Sequence, residues 1–249
     1  MSRVGLFIVL FFISGFAVAQ ESVSHLPAVD EANHPFEDGK DYFSYQEPLM
    51  LPPREDNRIP IQFFFDYDCR VCSSAQDILE LYSQINRDRV ALSEYPVATA
   101  KTRFSAMVFY SLQALNADNV SSALLFETAE KSQYIKLAQQ ENLLTWLEQQ
   151  GIERNRFLQT YSSEQIKQQV DEAIRLTEDY GVFTFPYVII DGKYVLTAST
   201  LYNDDYALAV LDFLINKKQY KTNTKDIYEN RYCWRDGARS RNFSQFNDG

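Results

Sequence analysis

The spacing of apolar and polar positions along the chain predicts alternating strands and helices. The run Ile59–Phe65 is short, apolar and aromatic, which is typical of a strand buried on both faces. Beyond it the period changes to that of a helix, for which Ser73 and Ser74 are candidate caps. The apolar positions at helical spacing are Ala75, Ile78, Leu79, Tyr82 and Ile85. A strand-to-helix junction is therefore expected just before Ser73.

The middle of the chain predicts a second strand followed by helices alone. Residues Val90–Val97 alternate in character, and Pro96 suits the end of a strand because proline cannot donate to the hydrogen-bond ladder. Residues 101–162 show helical patterns only. A further helix is expected at Glu164–Tyr180, where Gly181 ends it.

The last third of the chain predicts a hairpin and a closing helix. Pro186–Ile190 and Tyr194–Leu196 have strand character, and Asp191-Gly192 between them suits a two-residue turn. Asp204–Ile215 has helical spacing. The full order is strand, helix, strand, helical block, helix, hairpin and helix. This order predicts an α/β protein with a thioredoxin-like fold and a helical insertion.

The first residues predict export. Arg3 is followed by the apolar run Val4–Ile13 and then by Ala17-Val18-Ala19, which is the pattern of a secretory signal cleaved after Ala19. A membrane anchor is the alternative interpretation, but the run is short for a bilayer span and the small-residue site follows it directly.

These patterns divide the chain into segments of different character. The leader is expected to end in a short strand at Tyr42–Tyr45. We expect a signal peptide at 1–19, a flexible leader at 20–40, a thioredoxin-like domain at 41–100 and 163–216, a helical insertion at 101–162 and a polar C-terminal tail at 217–249.

The charge balance argues against nucleic acid as a partner. The chain has 34 acidic and 24 basic residues and a net charge of −10. An acidic surface repels a phosphate backbone. Nucleic acid is therefore not among the expected partners, and no cofactor is expected.

The cysteines carry the candidate chemistry. Cys69 and Cys72 are separated by Arg70 and Val71 at the strand-to-helix junction. Thiol-disulfide exchange needs one thiolate that attacks and a second thiol close enough to resolve the mixed disulfide. Cys69 is expected at the helix N-terminus, where backbone N–H groups favour its thiolate, and Cys72 one turn in and more buried.

Charged neighbours act on Cys69 in opposite directions. Arg70 favours its thiolate, whereas Asp66 and Asp68 oppose the thiolate if they point toward it. We expect the pKa of Cys69 to lie below the free-thiol value of about 8.5.

Other interpretations of the cysteines remain open. A zinc site would need two further ligands, and the histidines, His25 and His34, both lie in the leader, so no metal is expected. A static disulfide is a stronger alternative in an exported chain. Cys233 is either an incidental half-buried thiol, a partner in an interchain disulfide or a third redox thiol.

The segment Gly181–Pro186 supports exchange chemistry. Its Phe185–Pro186 bond is of the kind that can be cis in a tight turn. In the alternative interpretation, Pro186 simply opens a strand whose first N–H is not needed.

Together these residues resemble the DsbA family of periplasmic dithiol oxidases over about residues 36–216. The resemblance implies that Cys69 is the nucleophile, that Cys72 resolves the mixed disulfide and that Pro186 is the cis-proline beside the pair. It also implies a periplasmic location, cysteine-containing exported proteins as substrates and reoxidation by a membrane quinone reductase. The matching segments are Phe36–Tyr42, Glu47-Pro48, Phe63–Cys72, the helical insertion, Gly181–Pro186 and Asp191–Tyr194.

The chain departs from that family at several positions. Arg70-Val71 stands where the family has Pro-His, which alters the residues that tune the redox potential. Phe63, with Gln62 beside it, stands where the family has a buried acid, so proton transfer from Cys72 needs water or a carboxylate such as Asp66. Phe185 is bulkier than the family's usual residue and is expected to narrow the substrate groove.

These departures leave three functions in competition. The first is a dithiol oxidase that introduces disulfides, and the second is an isomerase or reductase using the same pair. The third is a non-catalytic binding or chaperone module in which Phe185 fills the groove and the cysteines stay locked. The reduction potential separates the first two.

Overall fold

The structure is a computed structural model that describes residues 35–217. The expected signal peptide, most of the leader and the tail beyond Lys217, including Cys233, lie outside the described residues.

A mixed sheet organises the described part of the chain. Its strand order is β1-β5-β4-β2-β3, with β2 and β3 parallel and the other neighbours antiparallel. The predicted strands are confirmed to within about two residues at each end. Their bounds are β1 Phe43–Ser44, β2 Ile59–Phe65, β3 Val90–Pro96, β4 Tyr187–Ile190 and β5 Tyr194–Thr197.

Helices cover the sheet, and five of them occupy the stretch for which the sequence predicts helices alone. Beyond β5 the short helix α8 was not predicted from the sequence. The bounds within residues 35–217 are α1 Cys72–Ile85, α2 Phe104–Ala114, α3 Asp118–Glu127, α4 Lys131–Leu137, α5 Gln140–Gln149, α6 Arg154–Tyr161, α7 Glu164–Asp179, α8 Ala198–Leu201 and α9 at 204–217. None of these described helices is long and apolar enough to cross a membrane.

The central strand β2 divides the core into two parts. Phe63 and Phe65 point to the α1 side, where they lie in the same apolar cluster as Cys72. Phe64 points to the opposite side and stacks on Tyr95 at 5.1 Å between ring centroids. The continuous burial expected for Ile59–Phe65 is therefore confirmed, because an apolar cluster covers each face of the strand.

Two local predictions were wrong. Helix α1 begins at Cys72 with Val71 as its N-cap, and neither Ser73 nor Ser74 caps it. The hairpin connection has three residues, because β4 ends at Ile190 and β5 begins at Tyr194. Asp191 and Gly192 have the positive φ angles expected of turn residues, and the Lys193 N–H donates to the Ile190 carbonyl at 3.0 Å.

The helical block contacts the loop that follows β2. The Tyr67 backbone N–H donates to Ser105 Oγ at 3.1 Å, and the Tyr67 hydroxyl lies 2.7 Å from Ser121 Oγ. Tyr67 is fully buried, so these hydrogen bonds satisfy its polar groups. The loop between β2 and α1 is therefore anchored to α2 and α3.

Candidate active site

Cys69 and Cys72 form a disulfide at the carboxyl end of β2. Their Cα atoms are 5.4 Å apart. Cys72 is the first residue of α1, whereas Cys69 lies in the preceding loop, so the expectation that Cys69 opens the helix was wrong by three residues. The exposed fraction is 3% for Cys69 and 0% for Cys72. Cys69 is therefore slightly more accessible to solvent than Cys72.

The dipeptide between the cysteines faces solvent. Arg70 is exposed, and Val71 has 39% of its surface exposed beside the disulfide. The Val71 carbonyl accepts from the Ala75 N–H at 3.1 Å, which begins the α1 hydrogen-bond ladder. Arg70 and Val71 therefore form the outer surface of the pair.

The negative charges of the two acidic residues before the cysteines are reduced by burial or balanced by a neighbouring cation. Burial raises the pKa of Asp66, while hydrogen bonds from the Asp68 backbone and the Ser105 hydroxyl oppose that rise. The Asp68 carboxylate forms an ion pair with Lys131 at 2.5 Å. Arg70 and Lys131 line one small cavity together with Asp68. The ion pair with Lys131 therefore reduces the repulsion that the Asp68 carboxylate can exert on a Cys69 thiolate.

This environment predicts the acidity of the reduced site. In a Cys233→Ser background, alkylation of reduced Cys69 by iodoacetamide should show an inflection below about 8.5. Lys131→Gln should move that inflection to higher pH, because it leaves the Asp68 carboxylate uncompensated. A wild-type pH-rate profile with its inflection at the free-thiol value would contradict the prediction.

Pro186 lies at the same end of the sheet as the cysteines. The Phe185–Pro186 bond is cis, which is the conformation that the sequence left open. Tyr187, the first residue of β4, pairs with Phe64 of β2. Pro186 therefore lies beside the point where β2 runs into the cysteine loop, and it is buried there.

An open groove is lined by Phe185, the residue before this proline. It has a volume of about 420 Å³. Phe183 is 84% exposed and Phe185 is 36% exposed. Phe185 therefore forms part of the groove wall and does not fill the groove. The remaining lining includes Asp66, Asp68, Phe104, Tyr134 and Thr184.

Sequence reasoning missed Lys131, Phe183 and Glu94. Lys131 meets Asp68 only through the fold, and Phe183 was noted merely as part of a segment. Glu94 lies on β3 and accepts a hydrogen bond at 2.8 Å from Gln76 of α1, the helix that begins at Cys72. A signal for Glu94 existed, since it falls in the same alternation as Val90 and Leu92.

Comparison with known proteins defines the class. Residues 96–209 match the family model for the DSBA-like thioredoxin domain. The crystal structure of Pseudomonas aeruginosa DsbA resembles this fold with a TM-score of 0.64 at 25% identity, covering 76% of this chain and 97% of that one. The chain belongs to the DsbA-like proteins of thioredoxin fold as a divergent member, which confirms the predicted fold class and resemblance.

Individual relatives refine this placement. An uncharacterized protein of Haemophilus influenzae is 57% identical over 216 residues, which span 84% of this chain and 91% of the relative. The thiol:disulfide interchange protein DsbA of Pseudomonas aeruginosa is 25% identical over 182 residues, 73% of this chain and 85% of the relative.

Proposed function

We propose that this protein is an exported, periplasmic thiol:disulfide oxidoreductase that introduces disulfides into other exported proteins. The observation that carries the proposal is the nearly buried Cys69–Cys72 disulfide at the carboxyl end of β2, the same end of the sheet at which Pro186 and the groove lined by Phe183 and Phe185 lie. The similarity to proteins named for thiol:disulfide interchange supports the reaction class.

The exchange proceeds by two thiolate attacks. A substrate thiolate attacks Cys69 Sγ, the Cys69–Cys72 bond breaks, and Cys72 leaves with the bonding electron pair. A second substrate thiolate then attacks the substrate sulfur of the mixed disulfide and expels the Cys69 thiolate. The substrate dithiol loses two electrons and the active-site disulfide gains them. Because Cys72 has no exposed surface, the first attack falls on Cys69.

The neighbouring residues have distinct roles in this reaction. Arg70 and Val71 tune the stability of the Cys69 thiolate and shape the surface around it. Pro186, which has no backbone N–H, directly follows Phe185. Phe185 and Phe183 line the groove and offer apolar contacts to a substrate strand. The phenylalanines favour unfolded, cysteine-containing chains over small polar thiols.

The electrostatics favour the oxidising direction. The ion pair with Lys131 reduces the repulsion between the Asp68 carboxylate and a Cys69 thiolate, and Arg70 adds a positive charge next to Cys69 in the chain. A dithiol whose reduced form is stabilised is a stronger oxidant. The oxidase is therefore preferred over the isomerase or reductase, and a membrane redox partner would restore the disulfide after each cycle.

A substrate trap tests the proposal. In cells carrying Cys72→Ala, the Cys69 thiolate should attack disulfides of exported proteins, expel one substrate thiolate and remain in mixed disulfides, because Cys72 is absent and cannot expel the bound substrate. The matched control is Cys69→Ala with Cys72→Ala, which should capture nothing. The absence of adducts on a reduced, accessible Cys69 would contradict the proposal. A reduction potential near that of the most reducing thioredoxins, about −270 mV, would instead support the reductase.

A further inference from the structure

Cys72 needs a proton that solvent does not supply. Its side chain has no exposed surface, and it leaves the disulfide as a thiolate when a substrate attacks Cys69. A thiolate without solvation is strongly disfavoured in an apolar core. The reaction therefore requires a proton donor on the buried side of the pair.

Glu94 lies on that side. It pairs in parallel register with Phe63, so the two side chains point to the same face of the sheet, and Phe63 belongs to the apolar cluster that contains Cys72. The Gln76 side-chain amide donates to Glu94 Oε1 at 2.8 Å. This hydrogen bond fixes the carboxyl group beneath α1.

Gln76 links the carboxyl group to the cysteine. It follows Cys72 by one helical turn on the same face of α1, about 6 Å along the helix axis. Side chains of a helix lean toward its N-terminus, so Gln76 and its hydrogen-bonded Glu94 lean toward Cys72. A water between the Glu94 carboxyl and Cys72 Sγ would complete the proton path.

The surroundings of Glu94 favour its protonated form. Burial is the largest cause that raises the pKa of Glu94, and the charges of Glu80 on α1 and Asp118 on α3 add to it, while the hydrogen bond from Gln76 acts in the opposite direction. The Tyr67 hydroxyl also lies within electrostatic range of Glu94. The carboxyl group thus keeps its proton to higher pH than an exposed glutamate.

Asp66, the carboxylate that the sequence suggested, has a different location. It lines the open groove together with Phe185, and its carboxylate accepts from the Asp68 N–H at 2.7 Å. Gln62, next to Phe63, is also excluded as a group that transfers a proton to Cys72. It lies beside Tyr95 and Tyr180 on the opposite face of the sheet. Neither residue shares the buried side of α1 with Cys72.

We propose that Glu94 is the proton donor and acceptor for Cys72, with Gln76 as the positioning residue that holds its carboxyl group. This inference rests on the proposed disulfide exchange. When the Cys69–Cys72 bond breaks, the Glu94 carboxyl gives its proton to the departing Cys72 thiolate and becomes a carboxylate. When Cys72 attacks a mixed disulfide on Cys69, the carboxylate takes the proton back, and the substrate leaves as a thiolate.

The test is the pH dependence of reduction by glutathione. The rate at which reduced glutathione opens the Cys69–Cys72 bond, divided by the thiolate concentration, should fall in wild type as pH rises through the Glu94 pKa. Glu94→Gln should lower the rate at acidic pH by about 10- to 100-fold and remove that pH transition. Glu80→Gln is the matched control: it should keep the transition and move it to lower pH, because it removes a like charge.

Each outcome separates the claims. Wild-type exchange together with an unchanged Glu94→Gln profile would overturn the role of Glu94 and leave the proposed function intact. Loss of the transition in Asp66→Asn instead would also overturn it. No exchange by the wild type would overturn the proposed function and this inference with it.

A measurement that leaves Glu94 in place guards against a folding defect in Glu94→Gln. The side-chain carboxyl of Glu94 is titrated by carbon-13 NMR in reduced wild type and in reduced Cys72→Ala. Groups that share a proton titrate together, so the Glu94 titration should differ between the two proteins. Identical titrations would overturn the inference.

Discussion

Replacing Cys69 by serine should lower the rate of dithiol oxidation by roughly a thousandfold or more. The hydroxyl group cannot form the mixed disulfide, and the remaining Cys72 has no exposed surface for a substrate to reach. The measurement is the oxidation of a peptide with two cysteines by stoichiometric protein that was first oxidised and desalted.

The matched control for this variant is Cys233→Ser, which removes a thiol outside the pair and should retain the wild-type rate. A Cys69→Ser protein that folds and still oxidises the peptide at the control rate would show that the Cys69–Cys72 disulfide is static. If Cys233→Ser lost the oxidation activity and Cys69→Ser kept it, Cys233 would be the reactive thiol.

Replacing Phe63 by glutamate should cost about 4 kcal/mol or more of unfolding free energy at pH 7. Phe63 is fully buried and stacks on Phe65 at 5.6 Å between ring centroids. A carboxyl group in its place would lie beside the Glu94 carboxyl on the same face of the sheet. Urea unfolding at pH 4.5 and pH 7.5 measures the cost relative to wild type.

The pH dependence distinguishes charge burial from lost packing. Burial raises the folded-state pKa of the new carboxyl above its unfolded value of about 4.3, so the stability penalty grows as pH rises through that range, by up to about 1.4 kcal/mol per pH unit. Phe63→Leu is the matched control, with a cost of about 1.5 kcal/mol and no added pH dependence. Equal penalties for Phe63→Glu at both pH values would mean that this position is accessible to water.

The sequence predicts the strands well because their signals are local. The aromatic run Ile59–Phe65 has almost no polar position, and Pro96 cannot continue a ladder, so the bounds of β2 and β3 follow from residue chemistry. The start of α1 does not follow in this way. Val71 caps the helix without a side-chain hydrogen bond, so no residue type marks the boundary.

The cysteine pair of the site could be predicted from the sequence, whereas the ion pair and hydrogen bond around it could not. The spacing of Cys69 and Cys72 identifies the sulfur pair, because both thiols come from one short segment. Lys131 reaches Asp68 from a helix that is 63 residues further along the chain, and Gln76 meets Glu94 across two elements. Pairings of this kind depend on the packing of α1 on the sheet and on the path of the helical block, which residue patterns do not specify.

The strand order has a consequence for a chain that emerges N-terminus first. Strand β2 lies between β3, its early neighbour, and β4, whose Tyr187 pairs with Phe64. Strand β1 can pair only later still, because its partners Tyr194 and Val195 follow the hairpin turn. During synthesis, the cysteines therefore emerge well before Pro186 can reach them. The candidate site is therefore assembled only when most of the described fold is available, and a half-emerged chain has its two cysteines without Pro186 beside them.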